Sequence, residues 1–239
     1  MKITVIMLSA LLLLSCKKDK NSEHSIAASL QEDVLTPEGI SEALNQLEAV
    51  SYQELNEKYL DYSNPERKFN TELKDLTFYK VMGNQIDLKI VGDYTIRDFI
   101  AHDEYYEAFK ENPYPEFEQY WLVDEKVLNM MLTLILTLKE EGYNEYGFHI
   151  RTAHRHPTKN GEINGASYSQ HMFGRAIDIG VDDINNDGKE TQADKTIVYD
   201  MLQEIVGNKG GLGLYPGSMN LHFDCRGFRA RWDFPWFLS

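Results

Sequence analysis

The run SYSQHMFGRAIDI (167–179) and the segment NLHFD (220–224), far apart in the chain, constrain the fold more than any other feature. The first places His171 and Asp178 seven positions apart around Gly174, and the second carries His222. Two imidazoles and one carboxylate form a three-ligand set that suits Zn²⁺ and leaves a fourth position open for water. Such a set works only if distant pieces of chain converge on one cation. A metal held this way lowers the pKa of bound water to about 7 and polarises a carbonyl.

The 239 residues are enough for one domain of ordinary size plus a tail. Apolar content of 42% and charged content of 26% are globular rather than disordered values. The formal charge of −14 repels phosphate backbones, so no nucleic acid is expected as a partner. The first residues differ in kind: Lys2 gives a basic start, and Ile3 to Leu14 is almost wholly apolar. That stretch is too short for a permanent span and fits a secretory h-region. It ends in Leu13-Leu14-Ser15-Cys16, which resembles the lipobox of bacterial lipoproteins, although Leu14 is bulkier than usual there. The resemblance implies lipid on Cys16, anchoring to a membrane without spanning it, and a location in the bacterial cell envelope, periplasmic or outer-membrane. Lipid on Cys16 leaves Cys225 without an intramolecular disulfide partner. Cys225 is expected as a buried thiol, with a role beside His222 as the alternative.

Residues 17–34 are polar and aperiodic and read as a tether, with His24 solvated. Thr36-Pro37-Glu38 opens a helix whose apolar positions are Ile40, Ala43, Leu44, Leu47 and Val50. Leu76 to Val81 and Ile86 to Ile90 read as strands joined by a Gly83-Asn84 turn. Residues 35–92 carry no visible chemistry and are expected as an extension packed on the main domain, 93–239. Asp124 caps a helix with Val127, Leu128, Met131, Leu134, Ile135 and Leu138 on one face, and Gly142 stops it. A strand over 146–150, a helix over 193–206, and strands over 212–215 and 220–225 joined by Pro216-Gly217 complete the reading. The fold class is α+β, a small antiparallel sheet backed by helices.

TAHRHPTKN (152–160), GASYSQHMFGRAIDI (165–179) and NLHFDCRGFRARW (220–232) together resemble the zinc D-alanyl-D-alanine carboxypeptidase family. Its wider superfamily includes D-Ala-D-Ala dipeptidases, phage endolysins and the Hedgehog signalling domain. The resemblance covers about residues 120–239. It implies the Hedgehog/D,D-peptidase-like fold, zinc on His171, Asp178 and His222, and hydrolysis of peptidoglycan stem peptides. It further implies that Arg155 faces the scissile carbonyl or the substrate carboxylate, and that Ser169 contacts substrate or steadies the site. The arginine loop has drifted, with Thr152, Ala153 and His154 replacing the family's serine, glycine and tyrosine; His154 and His156 line the cleft at most.

Many relatives carry an acid three positions before the last histidine, where this chain has Met219. Asp224 is the nearest acid, and on a strand it faces the same side as His222. It is expected either as general base or as a carboxylate that orients a ligand. The loop DINNDGKETQAD (183–194) fits a calcium pattern: Asp183, Asn185 and Asp187 as side-chain ligands, Gly188 at the turn, the Lys189 carbonyl, Thr191 direct or through water, and Asp194 last. Calcium there would be a structural clip. The leading expectation is therefore a zinc peptidase of carboxypeptidase or endopeptidase type. The alternative is a non-catalytic lipoprotein in which zinc and calcium hold a surface that binds cell wall or a partner.

Overall fold

The structure, a computed structural model, describes residues 32–62, 69–100 and 118–233. The leader, Cys16 and His24 lie outside the described residues.

Local chemistry sets the helix ends. Helix α1 (Pro37–Leu44) begins where the Thr36 hydroxyl accepts from the Gly39 N–H, with proline in the first turn. Strand β1 (Glu48–Val50), helices α2 (Glu57–Tyr62) and α3 (Asn70–Leu73), and strands β2 (Phe78–Met82), β3 (Lys89–Val91) and β4 (Tyr94–Thr95) follow. Helix α4 (Ile96–Phe99) and strand β5 (Glu118–Leu122) come next. Helix α5 (Glu125–Glu140) starts at Asp124, whose carboxylate accepts from the Lys126 N–H, and stops before Gly142 at φ +78°. After strand β6 (Phe148–Thr152), helix α6 (Pro157–Glu162) and strand β7 (Ala176–Val181), helix α7 (Gln192–Val206) leads to β8 (Gly211–Leu214), β9 (Asn220–Asp224) and β10 (Ala230–Asp233).

The main sheet has five strands in the order β10-β8-β9-β7-β6, and every pairing is antiparallel except β10 with β8. Residues alternate between its faces. Ile177, Ile179, Leu221, Phe223 and Leu212 enter one core together with Leu128, Ile135 and Leu138 of α5 and Val198 and Leu202 of α7. Asp178, His222 and Asp224 take the opposite face. The fold is α+β, as the sequence indicates.

The N-terminal region differs from the sequence expectation at residues 83–90. Residues 86–90 do not form a hairpin with β2. Gly83–Asp87 is a 3₁₀ turn instead, because Gly83 takes φ +41° and the Gln85 side chain accepts from the Met82 N–H. β2 pairs with β1 and β5, and the short β3 pairs with β4. The described residues belong to one compact unit. Ile40, Leu44, Val81, Ile86 and Ile90 share the core of α5. The strand expected over 146–150 lies at Phe148–Thr152, with Gly147 in the preceding turn.

The N-terminal region also has a structural task. A second core joins Val50, Leu55, Tyr59, Leu73, Phe78, Tyr120 and Leu122 to Met172 and Phe173, the residues that follow His171 on the 3₁₀ turn Gln170–Phe173. That turn ends at Gly174 with φ +63°, where a Cβ would lie 2.3 Å from the Leu122 carbonyl oxygen. Both the left-handed backbone and the close approach demand glycine. Gly174→Ala is expected to destabilise the fold by more than about 1 kcal/mol in urea unfolding. An unchanged midpoint would contradict this packing.

Candidate metal centre

The register of β7 against β9 makes the site. Asp178 and His222 are direct cross-strand partners, and the same row continues through Gly213 of β8 to Trp232 of β10. Gly213 leaves the space that the Trp232 ring fills, since a Cβ there would lie 2.5 Å from the indole. The indole therefore packs on the His222 ring at a centroid distance of 4.9 Å. The third group arrives from the 3₁₀ turn before β7. His171, Asp178 and His222 are all buried, and their ligand atoms lie within 4.8 Å of one another.

Each imidazole has one nitrogen committed elsewhere. His171 Nδ1 lies 2.7 Å from the Ala153 carbonyl oxygen, so this nitrogen carries the proton and Nε2 faces Asp178 Oδ2 at 3.3 Å. His222 is reversed: Nε2 meets Asp224 Oδ2 at 3.0 Å, and Nδ1 faces Asp178 Oδ1 at 2.8 Å. Backbone carbonyls and carboxylates in this position fix the tautomer and raise the basicity of a metal-binding imidazole. Burial lowers the His171 pKa against the pull of Asp178. For His222 burial also lowers it, but Asp178 and Asp224 prevail and the net shift is upward. Burial alone would raise the Asp178 pKa; the two histidines outweigh it and hold the carboxyl well below the usual range. Two neutral imidazoles and one ionised carboxylate fit Zn²⁺.

Asp224 stands behind His222, away from the side that faces Asp178. It is fully buried and accepts from the Gly211 N–H at 2.8 Å, the Arg226 N–H at 3.1 Å and Arg226 Nε at 2.9 Å. Burial raises its pKa, but His222 and Arg226 outweigh that and the net shift is strongly downward. A carboxylate so held is a poor proton acceptor. Of its two expected roles, the orienting carboxylate is the one these hydrogen bonds favour.

Arg155 flanks the triad, with a guanidinium nitrogen 3.7 Å from Asp178 Oδ2 and another 3.3 Å from Asn160 Oδ1. Its N–H donates to the His171 carbonyl, which ties the drifted loop to the site. Ser169 is buried at the start of the 3₁₀ turn. Arg155, Ser169, His171 and His222 line a cleft of about 630 Å³, together with Tyr215, Arg226 and Trp232, which sequence reasoning missed. The Tyr215 hydroxyl donates to Asp178 Oδ1 at 3.4 Å, and burial beside that carboxylate raises its pKa. The Gly-x-Gly of β8 marks close approach by neighbouring side chains without saying which residues make it. His156 lies in the core, and His154 is buried with its pKa lowered chiefly by burial.

The acidic loop does not gather as a calcium site. Asp194 is fully buried at the start of α7: one oxygen accepts from the Ile184 and Asn185 N–H groups, the other from the Thr191 N–H and hydroxyl. It is a helix cap in a capping box. Asp183 accepts from the Asp187 and Gly188 N–H groups, and Asn185 from the Asp187 N–H. Asp187 in turn accepts from the Lys189 N–H. Among the described residues, the one group of three His, Cys, Asp or Glu side chains close enough to share an ion is the His-Asp-His set. The carboxylates of the loop serve its own backbone, so calcium gains no support there.

The sequence model of the peptidase M15 family matches residues 123–206. That segment is similar to the peptidase M15 family. The match takes in His171 and Asp178 but ends at α7, before His222; the sheet register supplies the third ligand. M15 peptidases are zinc-dependent, in agreement with the donor set. No curated protein matches the chain.

Two measurements check this description. Asp224→Asn should weaken zinc binding by about 10–100-fold in a chelator competition, because His222 loses its orienting partner; unchanged affinity would contradict the arrangement. Cys225 is a buried free thiol whose pKa burial pushes up to about 12. Iodoacetamide at pH 8 should leave it unmodified in the native protein and label it after unfolding, as peptide mass mapping would show.

Proposed function

We propose that this protein is a zinc peptidase of peptidoglycan stem peptides, held at the bacterial cell envelope by lipid on Cys16. The observation that carries the reading is a buried His-Asp-His set opening on a cleft flanked by an arginine. Zinc on His171, Asp178 and His222 supplies, when bound, an activated water and a Lewis acid for the scissile carbonyl.

The remaining roles fall to the chain. Burial lowers the Arg155 pKa against the pull of Asp178, but a guanidinium stays charged in proteins and donates to the oxygen on which negative charge develops. Tyr215 remains protonated and offers a second donor beside Asp178. Ser169 meets the substrate at the cleft wall. Trp232 covers one side of His222 and keeps water from it. Asp224 holds the His222 ring in place through Nε2.

A second reading has a specific observation behind it. None of the described residues lining the cleft is Asp or Glu, and Met219 stands where relatives carry an acid. A protein that uses its metal only to hold a binding surface would need no base there.

One experiment separates the two. Zinc-loaded protein incubated with muropeptides should release product in an EDTA-sensitive manner. Free D-alanine would mark a carboxypeptidase, and divided cross-links an endopeptidase. Arg155→Met should lower the rate about 10²–10³-fold. Wall fragments bound without any product, at full zinc occupancy, would overturn the peptidase and favour the binding protein.

A further inference from the structure

Lys195 is a charged residue inside the fold with no place in the chemistry described above. It sits in the first turn of α7 and is buried. Its Nζ donates to the Tyr215 carbonyl at 2.9 Å and to the Ser218 carbonyl at 2.7 Å. These carbonyls belong to the turn joining β8 to β9, whose Gly217 takes φ +76°. The Ser218 hydroxyl also donates to the Tyr215 carbonyl, so the ammonium completes a small network inside the turn. From the same turn the Tyr215 side chain reaches Asp178 Oδ1.

We propose that Lys195 is a positioning residue: by clamping the 215–218 turn it holds the Tyr215 hydroxyl against Asp178 and so aligns that carboxylate for the metal. The inference rests on the metal reading of the His-Asp-His set. A flexible lysine is an expensive choice for a buried position, because its charge must be desolvated. Two carbonyl acceptors on one turn give that charge a single geometry. Carboxylates that bind metal are generally held by hydrogen bonds from neighbouring groups, and Tyr215 is such a donor here. Because α7 packs on the main core through Val198 and Leu202, the clamp ties the metal site to that core.

The test is a double-mutant cycle on the full chain with two readouts. Zinc affinity is measured by chelator competition for wild type, Lys195→Met, Tyr215→Phe and the double variant. Hydrogen exchange is followed at residues 215–219. Lys195→Met should weaken zinc by about tenfold and add nothing further in the Tyr215→Phe background. Its exchange at 215–219 should rise about tenfold while α5 is unaffected. Lys195→Arg, which keeps charged donors, should recover part of both. Wild-type zinc affinity in Lys195→Met, or fully additive losses in the cycle, would overturn the proposal. If the wild type takes up no zinc, the metal reading fails. The exchange arm still tests the clamp, and unchanged exchange at 215–219 in Lys195→Met would overturn it.

Discussion

The pairing of Asp178 with His222 across β7 and β9 is the constraint on which the remainder depends. A one-residue slip would turn both side chains to the opposite face, into the helix-packed core. The register is held from both sides. Behind the sheet, Ile177, Ile179, Leu221 and Phe223 are buried against α5 and α7. In front, Gly211 and Gly213 admit Asp224 and Trp232, and neither position tolerates a Cβ. Metal-binding geometry is thus a by-product of ordinary sheet packing.

His171 needs separate support, because it comes from a turn rather than a strand. The second core supplies it, with Met172 and Phe173 buried among residues contributed by 50–78 and by β5. A region without chemistry of its own therefore fixes the third ligand. Gly174 lets the chain leave that turn directly into β7. The Ala153 carbonyl then accepts a hydrogen bond from His171 Nδ1, and the adjoining Arg155 is carried to the cleft by the same loop. Ligand, tautomer and arginine are set by one short stretch of backbone contacts.

Much of this was legible in the sequence. The convergence of His171, Asp178 and His222, the long apolar face of α5, the caps at Thr36 and Asp124 and the β8–β9 pair follow from family resemblance, periodicity and capping chemistry. Four things did not. Tyr215, Lys195 and Trp232 act through contacts between elements distant in the chain, and local pattern carries no information about which turn lies over which strand. Asp194 looked like a ligand because a capping box and a calcium loop both ask for an acid just inside a helix start; only the hydrogen bonds distinguish them. The 86–90 segment alternates like a strand, yet the Gly83 turn and the Gln85 side chain redirect it. Asp224 was correctly placed on the face of His222, but its contacts with Arg226 and the Gly211 N–H were not foreseen.

The most direct test of the account is the metal content and ligation of the purified full chain. Elemental analysis should find one zinc per molecule, its X-ray absorption should carry the imidazole signature, and both should disappear in Asp178→Ala. A folded protein that excludes zinc under these conditions, or one that binds it equally well without Asp178, would contradict the central claim.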